Sequence, residues 1–181
     1  MMINEQIQQL INNLIQIEHV SSTLYLAMSN YMNKLNLRGM GTWFRLQSEE
    51  ERTHMLKLMD YLVDRGGTVE LKPLSAQPSE YGTPLETFQK VLEHEQFVTN
   101  SYRQAYDYVN QVNDQQTLVI IQEFLKEQVD EEAQSQTIVD RLKLAENNPA
   151  AFLIFWVKEN LPLPVGQLLQ LVKMFKYNQF L

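Results

Sequence analysis

Four long stretches of the chain repeat apolar residues at three- and four-residue steps, and each breaks that stripe near its middle with an acid or an amide. The first stripe reads Ile7, Ile11, Leu14, Glu18, Ser21, Tyr25, Met28, Met32, and the second Met40, Phe44, Gln47, Glu51, His54, Leu58, Tyr61. The third is Phe88, Leu92, Glu95, Thr99, Tyr102, Tyr106, Val109, and the fourth Leu118, Ile121, Leu125, Gln128, Glu131, Ser135, Ile138, Leu142. Such a period demands helices whose apolar faces meet in a common core. A carboxylate on that face is taken out of water, where it must be paired or take up a proton. Several at one level are reconciled by a cation among them. The pattern predicts an all-α bundle with a metal site inside it.

The spacing supports one layer. Helices are expected over 4–35 and 40–65, with a short break at 36–39 and a stop at Gly66-Gly67. Residues 68–83 hold two prolines and a glycine and show no helical period, as a long crossover would. Thr83-Pro84-Leu85-Glu86 reads as an N-cap, a first-turn proline and a capping-box acid, opening a helix to 111. Asn113-Asp114 caps a fourth helix reaching 145. At ~1.5 Å per residue, two antiparallel hairpins joined by the crossover place Glu18, Glu51 with His54, Glu95, and Gln128 with Glu131 at nearly one height.

The metal is constrained by what the chain lacks. It has no cysteine and only three histidines, so its ligands must be oxygen and imidazole. That set suits iron, manganese or zinc, and its carboxylate richness tilts toward iron or manganese. A net charge of -7 argues against general nucleic-acid binding and is compatible with handling cations. No apolar run is long enough for a transmembrane helix and the N-terminus lacks a signal-peptide pattern, so a cytoplasmic protein is expected.

Glu51 and His54, three residues apart, point from one helix face, and Glu18 faces them. Gln128 and Glu131 form a second such pair, faced by Glu95. Glu51, with two oxygens, is the expected bridge. A pair of ferrous ions there could each pass one electron to oxygen or peroxide. Glu50, Glu127 and Asp130 adjoin these residues and suit either a third cation or a charged exterior. Tyr25, on the stripe of Glu18, could hydrogen-bond a ligand or supply an electron. His19 and His94 project away from the stripes and read as supporting or surface residues. The residues alone also admit a helical structural protein with a buried polar network and no metal.

With those residues in place, the chain resembles the bacterial-type non-haem ferritins of the ferritin-like di-iron superfamily. The matching pieces are Ile17-Glu18 with Ser21-Ser22 and Tyr25, Glu50-Glu51-Arg52-Thr53-His54-Met55 with Asp60-Tyr61-Leu62, His94-Glu95-Gln96, and Glu127-Gln128 with Asp130-Glu131. The resemblance implies a four-helix bundle with a short fifth helix, assembled as a homo-oligomeric shell of 24 subunits. It implies ferroxidase activity, with Fe(II) oxidised by O2 or H2O2 and stored as ferric mineral. One iron would be held by Glu18, Glu51 and His54, and a second by Glu51, Glu95 and Glu131 with Gln128 close by. A third site would match Glu50, Glu127, Asp130 and Glu131. A peroxide-consuming di-iron protein that stores little is the alternative. Gln134 stands where a second Glu-x-x-His motif would place its histidine, which counts against bacterioferritin and rubrerythrin. Arg52 stands where bacterioferritins carry their haem-ligating methionine, so no haem is expected. Asp130 replaces the glutamate usual at the third site.

The domain reading is a ferritin-like di-iron domain over 1–161 and a C-terminal extension over 162–181. The extension is expected to pack within the assembly or to dock on a partner or membrane surface.

Overall fold

The computed structural model describes residues 3–145, which form four helices and no strand. They are α1 (Glu5–Lys34), α2 (Arg38–Asp64), α3 (Pro84–Gln111) and α4 (Gln115–Ala145). The expected fifth helix and the extension lie outside the described residues. α2 begins two residues earlier than its stripe suggests. Its N-cap, Leu37, makes no side-chain cap bond, so no cap residue marks the start in the sequence.

Local chemistry sets the ends. Asn4 accepts from the Gln6 amide at 2.7 Å and opens α1. Thr83 and Glu86 form the expected capping box on α3, with proline in its first turn. Asp114 accepts from the Thr117 amide at 3.0 Å and opens α4. Three helices close alike. Asn36, Gly66 and Asn113 take positive φ of 61°, 72° and 60° after α1, α2 and α3. The amide just past each one reaches back to a carbonyl of the last turn: Leu37 to Met32, Gly67 to Leu62, Asp114 to Val109. Asparagine tolerates this left-handed geometry better than most residues, which explains its use twice.

α1 packs chiefly on α2, α3 on α4, and α1 also on α3. Ser22 and Ser48 exchange bonds across the first hairpin, each hydroxyl donating to the other's carbonyl at 2.8 and 2.7 Å. This draws the two helices close beside Glu18 and Glu51. The crossover runs along α1. Its Thr68 and Glu70 amides donate to Gln8 and Asn12, each at 2.8 Å. At the other end Tyr31 donates to the Gly82 carbonyl at 2.8 Å. α3 therefore starts beside the end of α1 and runs antiparallel to it, bringing Tyr108 back to Gln6.

The core is in two pieces. One end buries Ile7, Ile11, Leu58, Leu62, Val109 and Ile121 with their neighbours. The other buries Met28, Met32, Phe44, Phe88, Val91 and Leu142. Between them in every helix lies the polar interruption of its stripe.

Candidate metal centre

Each helix delivers its polar residues inward from mid-length, where apolar packing above and below leaves no other direction. Glu18, Glu51, Glu95 and Gln128 are 1%, 3%, 2% and 4% exposed. Glu18, Glu51 and His54 each offer a ligand atom within 4.8 Å of the others, and they are the only such group among the described residues. His54 Nδ1 stands 3.2 Å from Glu51 Oε2 and 4.0 Å from Glu18 Oε2. The other ring nitrogen, Nε2, lies 3.2 Å from Glu127 Oε2. That carboxylate stands beside the imidazole at ion-pair distance, without a hydrogen bond to it.

The second half is arranged differently. Glu95 Oε1 accepts from the Tyr25 hydroxyl, and its Oε2 accepts from Gln128 Nε2 at 3.4 Å. Gln128 gives its carbonyl oxygen to the Thr99 hydroxyl at 2.9 Å, so it presents its amide N–H to the centre. Glu131, half-buried, accepts from Gln47 Nε2 at 3.4 Å.

Of the residues expected at a third cation site, Glu50 and Glu131 share one donor, Gln47 Nε2. Glu50 is exposed and accepts from Gln47 at 3.3 Å. Glu127 engages His54 and lies 3.9 Å from Lys57 Nζ, and Asp130 is exposed. Tyr25 is buried on the stripe of Glu18 but bonds Glu95, across the bundle. His94 is also drawn in. Its Nε2 meets the Ser21 hydroxyl at 2.7 Å, and its ring stands edge-on to Tyr25 at 5.9 Å. Burial pushes its imidazole down to about 4, so it is neutral at physiological pH.

Tyr102 is a site residue whose place on the third stripe does not by itself reveal a role. Its hydroxyl donates to Glu18 Oε1, mirroring Tyr25 on Glu95. The signal was present. One fixed offset in sequence separates Glu18 from Glu95, Tyr25 from Tyr102, Asn36 from Asn113, Glu51 from Gln128, and His54 from Glu131. Gln47 and Thr99, which orient Glu131 and Gln128, likewise stand on the stripes.

The electrostatics of the layer favour a cation. Burial, then the Glu51 charge, raises the Glu18 carboxyl well above its usual range. Burial drives Glu51 to about 8, with Glu95, Glu131 and Glu50 adding to the rise. Burial and the neighbouring Glu50 and Glu95 charges lift Glu131 to about 7, and burial also raises Glu95. Both tyrosine hydroxyls are raised, first by burial, and remain donors. Glu18 Oε2 is buried with no hydrogen-bond partner and faces the Glu51–His54 pair. A buried, unpartnered oxygen calls for a ligand. A divalent cation satisfies it and neutralises the repulsion, and the hard-oxygen and imidazole donors suit iron.

Known proteins are similar to this chain in sequence and in fold. A family model described as the ferritin-like domain matches residues 8–145. A bacterial non-heme ferritin of Bacteroides fragilis is 39% identical over 144 residues, covering 80% of this chain and 91% of the relative. The bacterial non-heme ferritin of Campylobacter jejuni is 32% identical over 79% of this chain and 86% of its own length. Among solved structures, an open pore ferritin from the archaeon Archaeoglobus fulgidus superposes with a TM-score of 0.84 at 34% identity, covering 88% of this chain and 98% of that one. Among the described residues, no helix is long and apolar enough to cross a membrane. A bundle of two hairpins around a carboxylate layer, matched by a family model over residues 8–145, places this chain in the ferritin-like family.

Proposed function

We propose that the protein is an iron-storage ferritin of the cytoplasm that oxidises Fe(II) at this buried layer and keeps the ferric product as mineral inside a shell of 24 copies. The observation that carries the reading is the convergence of Glu18, Glu51 and His54 on one point, with Glu18 Oε2 buried and unpartnered there. Iron is the substrate. Glu18, Glu51 and His54 hold one ferrous ion, and Glu51, Glu95 and Glu131 a second, with Gln128 orienting Glu95. Each Fe(II) gives up one electron, and O2 takes two electrons and two protons to become H2O2. Peroxide as oxidant takes the same two electrons and two protons and leaves water.

The side chains prepare for this in three ways. The carboxylates carry protons when metal-free and release them as iron enters, so charge is exchanged without a net burden on the interior. Tyr25 and Tyr102 donate to the outer oxygens of Glu95 and Glu18 and hold both carboxylates in place. Glu127, 3.2 Å from Nε2, places a negative charge beside the His54 ring. Glu50, Glu127, Asp130 and Glu131 give a weaker third position, which takes iron only when Glu127 turns from His54.

The test is aerobic addition of Fe(II), followed by ferric absorbance and by electron microscopy of the particles. Rapid oxidation, many irons per subunit and dense cores in particles of about 24 subunits are expected. Unchanged oxidation in both Glu51→Ala and His54→Ala would refute the assigned centre. Rapid peroxide consumption without dense cores would instead make the protein a peroxide-consuming di-iron enzyme.

A further inference from the structure

The two tyrosines of the layer leave their carboxylates in different states. Both oxygens of Glu95 are engaged, Oε1 by Tyr25 and Oε2 by Gln128. On Glu18, Tyr102 engages Oε1 alone, and Oε2 is buried without a hydrogen-bond partner. The Tyr102 ring cannot swing away. It is fully buried and stacked on Phe124, with centroids 5.0 Å apart and planes 17° from parallel. Phe124 in turn meets the His54 ring edge-on at 5.3 Å. One aromatic wall thus backs both Glu18 and His54.

This geometry decides how Glu18 meets an ion. An ion held by both oxygens would compete with the Tyr102 hydroxyl for Oε1, and any turn of the carboxylate toward it would weaken a bond whose loss, sealed behind Phe124, is costly. Ligation through Oε2 alone leaves that bond as it is. We propose that Tyr102 is a positioning residue that holds Glu18 to one-oxygen ligation and so keeps a coordination position open beside His54, where the oxidant approaches. The inference rests on the iron-oxidation reading above and assigns a determinant of its geometry.

The test uses the full-length assembled protein loaded anaerobically with Fe(II). Near-infrared magnetic circular dichroism distinguishes five- from six-coordinate ferrous iron. The unaltered protein is expected to show a five-coordinate component. In Tyr102→Phe that component converts to six-coordinate, Fe(II) stoichiometry is unchanged, and first-turnover oxidation slows roughly 10–100-fold. Tyr25→Phe, which alters the other half, leaves the component in place. An unchanged spectrum in folded Tyr102→Phe overturns the proposal, and so does loss of Fe(II) binding there, which would make Tyr102 a structural prop. If Tyr102→Phe does not fold, the unaltered protein decides, because only six-coordinate iron in it also overturns the proposal. No Fe(II) uptake by the unaltered protein is a different result, and it sinks the iron reading itself.

Discussion

In the first hairpin Glu18, Glu51 and His54 bring three ligand atoms to one point; in the second, Glu95, Gln128 and Glu131 occupy the matching positions with two acids and an amide. The backbone is repeated, down to the asparagine that ends the first helix of each hairpin. The chemistry is not. An amide stands where the first half has a bridging acid, and an acid where it has an imidazole. Gln128 gives its oxygen to Thr99 and its N–H to Glu95, so in this arrangement it steadies Glu95. On the proposed reading, the repeated scaffold carries one iron position with three ligands of its own and a second that borrows Glu51 from its neighbour. Two irons held unequally suit a site that must pass one on.

The largest expected effect comes from removing the self-sufficient half. His54→Ala or Glu51→Ala should slow the initial oxidation about 100-fold, whereas Glu131→Ala should remove the second Fe(II) and leave the first bound. Anaerobic titration with Fe(II) checks both, and equal losses in the two halves would break the comparison. Next is Gln128→Glu, which restores an acid in place of the amide. The weaker equivalent should bind about 10-fold tighter. Unchanged affinity would locate the asymmetry elsewhere, in His54 or in the tyrosines. A smaller effect separates Glu127 from Asp130. Glu127→Ala, which frees His54, should weaken the tight equivalent up to about 10-fold, while Asp130→Ala leaves it alone. Isothermal titration with Zn(II), which is not oxidised, reads this directly.

The smallest effect is in pH. Without metal, Glu51 and Glu131 keep protons up to about 8 and about 7, whereas their ordinary value is 4.5. Between those limits the folded state binds more protons than the unfolded one, so stability falls as pH rises. The metal-free Tm should therefore climb as pH is lowered from about 8 to about 6, and Zn(II) should flatten that slope. A metal-free Tm that rises with pH across this window would mean the layer is already ionised.

Much of this was legible in the sequence. Helical periodicity placed Glu18, Glu51, Glu95 and Gln128 on inward faces, because the apolar residues around them leave a single burial direction. Thr83 and Glu86 announced the start of α3, and two glycines the end of α2. The start of α2 was not announced, since Leu37 caps nothing. Rotamers and cross-bundle partners were the larger gap. Tyr25 stands on the stripe of Glu18, yet only the packing of α1 against α3 shows that its hydroxyl goes to Glu95. Tyr102 was visible as a stripe residue, and its role could have been read from the offset that relates it to Tyr25. For Glu127 the i, i+1 neighbour relation to Gln128 suggested a shared cation site, whereas the folded chain turns it toward His54 and Lys57.

The divided core has a mechanical consequence. Oily plugs above and below the middle of the bundle would hold the four rods at a set gauge as ions enter and leave. A storage protein must fill, empty and refill that gap many times. Because the plugs rather than the ions set the gauge, each round starts from the same aperture, and no round requires the rods to be pried open again.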